Sequence, residues 1–312
     1  VSIDVGSLEI TAVHINIAVT HPQRLELSPD GNSVRVVGAN NQSLTVPIPR
    51  PQVDLTPYAR WLEAQPRIPG TPLVRSFDVD RPDPLVDSFI PGTNLYLQDF
   101  ANTYDQALVA IEATINGNVG RAREILAYFR ERGGVPPKSN KETVIITGEA
   151  LWIGIAAAHY TYRTNDRQFL PLMERIGEYA RRLQQADDGR ILGGENETWT
   201  STEHNLDALA FFFFGMLSEL TGRPEYRQVQ RGVAQWLARF AYLPDEGRFQ
   251  RGHNDRVFAT DTSSWGVAAI VAIRGMYPDL ARETGLDRID LARLVREAER
   301  RALISEIYTK PD

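Results

Sequence analysis

The residues best able to do chemistry recur in one setting. Asp105, Glu149, Glu203 with Asp207, and Asp261 each stand where a helical periodicity begins, in Thr103-Tyr-Asp-Gln-Ala-Leu, Gly148-Glu-Ala-Leu-Trp, Ser201-Thr-Glu-His-Asn-Leu-Asp and Asp261-Thr-Ser-Ser-Trp-Gly. A lone acid in a first turn is explained equally well by the exposed N–H groups and the helix dipole. Several together suit a reaction that needs paired carboxylates, and glycosidic-bond hydrolysis is one: one carboxyl donates a proton to the leaving oxygen while the other, ionised, attacks or activates water. Glu203 and Asp207, four residues apart, share one helix face and repel unless solvent, a cation or a shared proton relieves them. His204 and Asn205 add a titratable ring and an amide suited to sugar hydroxyls. Tyr104, Trp152, Trp199 and Trp265 stand beside these acids. Aromatic rings stack on the apolar C–H faces of sugars, although packing between helices accounts for each ring as well.

Other chemistries find no support. The chain has no Cys, which removes thiolate metal sites, Cys nucleophiles and disulfide scaffolds. No His-x-x-x-His or Glu-x-x-His occurs at helical spacing, and the loops around Asp187, Asp245 and Asp255 lack the ligand order of an EF-hand and read as turns. No metal and no cofactor is therefore expected. Glycine-rich phosphate loops and the Gly-x-Ser-x-Gly elbow are absent. The 34 basic and 40 acidic residues of the 312 give a net charge of −6 with no basic block, against nucleic-acid binding. The apolar windows at 208–217 and 267–273 fall far short of the ~20 residues of a membrane span. The first residue is Val, compatible with a removed leader, and the absence of thiols suits export, so an extracellular or periplasmic setting is expected; the oligomeric state is left open.

The elements that must position the acids are legible as a repeat. Asp187-Asp-Gly-Arg-Ile-Leu-Gly-Gly is echoed by Asp245-Glu-Gly-Arg-Phe-Gln-Arg-Gly, and the preceding turns at 164–169 and 221–226 repeat likewise. The unit is a helical hairpin. First helices are expected at 104–115, 148–163, 202–220 and 261–276, with partners at 119–132, 166–185, 224–242 and 287–307. First helices are apolar nearly all round and must be buried, whereas partners are amphipathic and rich in Arg and Glu. Trp236, Phe211 to Phe214 and His159 are expected in the core and His253 in a polar loop. Buried helices alternating with half-exposed ones suit a double-layered α/α toroid spanning 99–312. Before it come a β-rich segment at 1–55 and a Pro-rich connector at 56–98 containing one short helix.

The four motifs opening these helices resemble the six-hairpin (α/α)6-barrel glycosidase superfamily over roughly 99–273. That resemblance implies a mainly α fold, a complete or partial (α/α)6 barrel, with the cleft at the mouth of the inner ring. It implies a glycoside hydrolase-like enzyme acting on an oligo- or polysaccharide. Asp105 and Glu203 are the first choice as catalytic pair and Asp207 and Asp261 their support, while Tyr104, Glu149, Trp152, Trp199, His204, Asn205 and Trp265 would bind sugar. A non-catalytic carbohydrate-binding protein, or a polysaccharide lyase or sugar epimerase using His204 or a Tyr, are the alternatives. Only about four hairpins fit where the superfamily has six.

Overall fold

A computed structural model describes the strand backbones listed next and residues 56–77, 97–210 and 213–302 in full. The chain divides into two compact units, Val1–Arg60 and Trp61–Asp312. In the first, β1 (Ser2–Asp4) and β2 (Glu9–Thr11) form an antiparallel pair. Strands β3 (Pro22–Leu27), β4 (Ser33–Gly38) and β5 (Ser43–Pro47) form an antiparallel sheet in sequence order, with Leu25 opposite Val36 and Val36 opposite Leu44. The β-branched run Ser33-Val-Arg-Val-Val fills its central strand, as its composition favours. Helix α1 (Thr56–Glu63) follows.

The second unit is helical. Its first helices are α2 (Thr103–Ile115), α4 (Thr147–Thr164), α6 (Thr202–Leu209) continued by α7 (Phe213–Thr221), and α9 (Thr260–Met276). Their partners are α3 (Val119–Glu131), α5 (Leu170–Leu183), α8 (Pro224–Trp236), and the pair α10 (Pro278–Thr284) and α11 (Leu291–Ala302). Among the described residues these make four hairpins. Helix α2 packs on α4, α4 on α6, and α6 on α9, while each partner lies against its own first helix as a second layer. The inner row is the core: residues 150–158 of α4 are all buried, and Phe213, Phe214 and Trp236 are fully enclosed. Phe211 and Phe212 lie outside the described residues. His159 departs from expectation in being partly exposed on α4, where burial and the Arg163 charge lower its pKa.

Three boundaries differ from the periodic reading. The third inner helix is two helices rather than one, since Ala210 leaves the helical conformation with ψ 144°. Helix α5 begins late because Asn165 takes a left-handed φ of 57° and the Asp166 carboxylate accepts the Gln168 N–H at 3.0 Å, closing a turn that competes with the helix. The last partner, expected from 287, is preceded by the unexpected helix α10, which ends at Gly285 with φ 90°, and α11 starts later, where the Asp290 carboxylate accepts the Arg293 N–H at 2.9 Å.

The sequence repeat is a structural one. Gln184 pairs with Ile191 in an isolated antiparallel bridge, and the two-residue strands β6 (Tyr242–Leu243) and β7 (Arg248–Phe249) pair Tyr242 with Phe249 in the equivalent place. Gly189 and Gly247, the third residues of the two copies, hold positive φ in the turns. The nearby acids are spent on ion pairs, Asp188 with Arg190 and Asp255 with Arg251, and no group of three His, Asp or Glu among the described residues is placed to hold a metal.

The expected connector is partly core. Leu73 is fully buried and Ile68 and Val74 nearly so, and the Gln106 amide clamps Val74 by accepting its N–H at 2.8 Å and donating to its carbonyl at 2.9 Å.

Candidate active site at the inner-helix mouths

Threonine begins each inner helix: Thr103, Thr147, Thr202 and Thr260. In three of them its backbone N–H, free of intrahelical partners at a helix start, donates to the connection that leads to the next inner helix. Thr103 donates to the Lys138 carbonyl at 2.9 Å, Thr147 to Gly193 at 2.8 Å, and Thr202 to Arg251 at 2.8 Å. The hydroxyls of Thr103 and Thr147 add bonds to the preceding carbonyls, Pro137 and Leu192, the latter at 2.7 Å. This common anchor puts equivalent positions of different helices in register.

Three residues after each anchor, two amides face the connections. Asn205 accepts the Ile191 N–H at 2.9 Å and donates to the Ile191 carbonyl at 3.1 Å and the Ser201 carbonyl at 2.9 Å, as Gln106 does for Val74. The expectation that Asn205 binds sugar is thereby corrected, because its amide is fully buried and committed to backbone.

Five residues after the anchor stand Trp152, Asp207 and Trp265. Trp265 stacks on Trp152 with centroids 5.4 Å apart and planes 23° apart, and Tyr104 meets Trp152 edge-on at 5.0 Å. The Trp265 indole N–H donates to Asp207 Oδ1 at 2.9 Å. Trp265 is thus a support for Asp207 and Trp152 and does not line the cavity with them, a correction to its expected role as a sugar platform.

A cavity of about 640 Å³ opens beside these groups, lined by the acids Asp105, Glu142, Glu149, Glu203 and Asp207, by His204 and Lys138, and by the rings of Phe77, Phe100, Tyr104 and Trp152. A second, of about 370 Å³, shares Glu203 and His204 and adds Trp199, Thr200, Arg251, Asp255 and Asp261. Asp105 on α2 and Glu203 on α6 therefore flank α4 in one cavity. Asp261 belongs to the other, exposed, with Oδ1 accepting the Thr262 N–H at 2.7 Å.

Burial sets the charge states. It raises Asp207 well above the usual aspartate range against the pull of the Trp265 hydrogen bond, and the carboxyls of Glu203 and Glu149 raise it further. Burial likewise raises Glu203, with Asp261 and Glu149 adding to it. Glu149 is raised by burial, opposed by a backbone hydrogen bond and by Lys138, and its Oε2 has no hydrogen-bond partner. Burial also lowers His204 to about 4, which keeps the ring neutral near pH 7. That ring leans over Gly148, where a Cβ would lie 2.4 Å from Cδ2 and 2.6 Å from Nε2, so only glycine seats it. The Tyr104 hydroxyl is raised by burial first and then by Asp207, Glu203 and Asp105.

Sequence reasoning missed Phe77, Phe100, Lys138, Glu142, Arg251 and Asp255 as lining residues. Lys138, Glu142, Arg251 and Asp255 come from the connections, for which the threonine recurrence that hangs the inner helices on them was the available signal, whereas Phe77 and Phe100 come from the segment before α2, which carried none.

Inner helices backed by amphipathic partners, with acids and aromatic rings gathered at their mouths, define a mainly α fold of α/α hairpins, of the (α/α)6-barrel type. No family model and no curated protein matches the sequence. Among solved structures, the chain is similar to a cellobiose 2-epimerase from Bacillus thermoamylovorans B4167, with a TM-score of 0.54 and 12% identity over 68% of this chain and 65% of that one. A family 76 glycoside hydrolase from a bovine Bacteroides thetaiotaomicron strain gives 0.56 and 11% over 86% and 62%, and a sugar epimerase from a ruminal bacterium 0.53 and 8% over 68% and 64%. All three are (α/α)6-barrel enzymes, and this chain has their fold. It spans just under two thirds of their lengths.

Proposed function

We propose that the protein is a glycoside hydrolase acting on a neutral oligo- or polysaccharide, met outside the cytoplasm. The observation that carries this is the cavity wall itself: carboxyls from α2, α4 and α6 face a space walled by aromatic rings, and three of those carboxyls are raised, first by burial and then by neighbouring carboxyls. Glu203 is the proton donor, since its raised pKa keeps a proton for the glycosidic oxygen as the carbon–oxygen bond breaks. Asp105 is the second carboxylate, attacking the anomeric carbon or drawing a proton from the incoming water. Asp207, one turn along α6 from Glu203, is fixed by Trp265 and supports the Glu203 end of the helix, its own proton favoured by burial and by the Glu203 charge. Asp261 acts on Glu203 through charge, and Tyr104, Trp152, Trp199, Glu149 and His204 contact sugar.

The charge of the wall also selects among substrates. Five acids face a single Lys138, and Arg251 in the second cavity is paired through Nε with Asp255, so a uronate would meet more negative than positive charge. That disfavours a polysaccharide lyase. His204, neutral and lining both cavities, favours a sugar epimerase as the second reading, with the imidazole removing a proton from the carbon beside a sugar carbonyl.

The test is Glu203→Gln. It should keep the far-ultraviolet circular dichroism of the parent and abolish release of reducing sugar from neutral oligosaccharides. A folded, fully active Glu203→Gln protein sinks the assignment. Isomerised sugar of unchanged chain length, lost in His204→Ala, selects the epimerase.

A further inference from the structure

The two cavities meet at Glu203 and His204, and the second is a built site in its own right. Its floor holds Thr200, 5% exposed, whose hydroxyl has no hydrogen-bond partner. A buried hydroxyl left unpaired costs stability unless a ligand or water completes it. Its wall is Trp199, which is 43% exposed and yet held by hydrogen bonds and ring contacts. The indole N–H donates to Glu197 Oε2 at 2.5 Å, and the Trp199 carbonyl accepts the Gly193 N–H at 3.0 Å. The ring lies on the Gly193 backbone, where a Cβ would come within 2.3 to 2.5 Å of three ring carbons, and the His204 ring lies 5.5 Å away at 58°. An aromatic face held this firmly and left open is preorganised for a flat apolar partner. On the rim, Arg251 donates to Asp255 at 2.7 Å through Nε, leaving the ends of its guanidinium for hydroxyl acceptors.

We propose that this second cavity is a sugar subsite that continues the cleft past Glu203, with Trp199 stacking one sugar ring, Thr200 and Arg251 meeting its hydroxyls, and the reacting bond lying at the junction of the two cavities. The substrate is then a glycan chain that extends from Glu203 in both directions. A single sugar carrying a small leaving group would fill only one side. This inference rests on the carbohydrate reading above and adds the length and placement of the substrate.

The experiment compares kcat/KM on a chain-length series of neutral hexose oligosaccharides, two to six units, for the parent, Trp199→Ala, Trp199→Phe, Thr200→Val and Gly193→Ala. Efficiency in the parent should rise with length. Trp199→Ala should lose about tenfold more on the longest substrate than on the shortest, Trp199→Phe should recover most of that loss, and Gly193→Ala, which pushes the indole from its seat, should resemble Trp199→Ala. Should Trp199→Ala reduce turnover of all lengths equally, or of none, while the parent is active, the subsite is overturned and the hydrolase reading stands. A parent that neither binds nor turns over any member of the series overturns both. Equilibrium binding of the series to Glu203→Gln gives the same comparison without turnover, so a folding defect in one variant does not decide the question.

Discussion

The contact between Gly148 and His204 allows a prediction with a change of sign. Replacing Gly148 by Ala puts a methyl carbon 2.4 Å from Cδ2 and 2.6 Å from Nε2 of His204, more than 1 Å inside the ~3.5 Å at which carbons rest. Forcing an extra methyl into a packed site costs about 1–3 kcal/mol. The helix itself gains about 0.5–1 kcal/mol from Ala over Gly, since α4 encloses position 148. Gly148→Ala should therefore destabilise the protein by up to about 2.5 kcal/mol. In a His204→Ala background the obstacle is gone and only the helix gain remains, so the same substitution should stabilise by about 0.5–1 kcal/mol. The assay is urea denaturation of the parent, both single variants and the double variant at pH 7, read as a double-mutant cycle with an expected coupling of about 1–3 kcal/mol. Proton resonances of His204 give an independent reading: in Gly148→Ala the displaced ring should titrate well above the value of about 4 that burial gives it. Single effects that add to within about 0.5 kcal/mol would refute the reasoning, because they would mean that the two residues do not share the space.

The charge states and the threonine anchors give further expectations. Because folding lowers His204 to about 4 from an ordinary value near 6.5, the unfolded chain binds a proton in that window that the folded protein refuses. Stability from this group is complete above about pH 6.5 and falls as pH drops toward 4, by up to about 3 kcal/mol, and His204→Ala should flatten that limb of a stability–pH curve. Asp207 has the opposite sign, since its raised pKa contributes stability below about pH 4 that is lost as pH climbs through the folded value. Asp207→Asn keeps an acceptor for Trp265, so in denaturation at pH 8 it should be at least as stable as the parent while losing activity. Thr147→Val removes a hydroxyl bonded to Leu192 and should cost about 1 kcal/mol, whereas Thr202→Val, at the one such anchor whose buried hydroxyl has no partner, should be neutral or stabilising in the same assay.

Much of this arrangement could be read from the chain, and the reason is periodicity. A 58-residue echo, read from Asp187 to Asp245, lands in space on equivalent bridges, Gln184 to Ile191 and Tyr242 to Phe249. Apolar helices at 150–158 could only be interior, and acids in first turns had to stand at the ends of those helices. What could not be read is where a side chain points once its neighbours are set. Asn205 and His204 are adjacent, yet one is consumed by the Ile191 backbone and the other lines both cavities. Trp152 and Trp265 carry the same side chain at equivalent positions and both hydrogen-bond Asp207, but only Trp152 also lines the cavity. The break after Leu209 was equally hidden, since the sequence there remains apolar and carries neither Gly nor Pro until Gly215.

The threonine anchors tie the mouths of three inner helices to the connection that comes after each one. Asp105 is thereby placed by residues 137 and 138, Glu149 by 192 and 193, and Glu203 by 251. Lengthening or exchanging the part of a connection that meets the threonine would move the acid behind it in the chain, provided that the clamp on the helix ahead, such as Asn205 on Ile191, is kept. Loop exchange would then work as a ruler, changing the spacing between one carboxyl and the next in single steps without touching either residue or the helices that carry them.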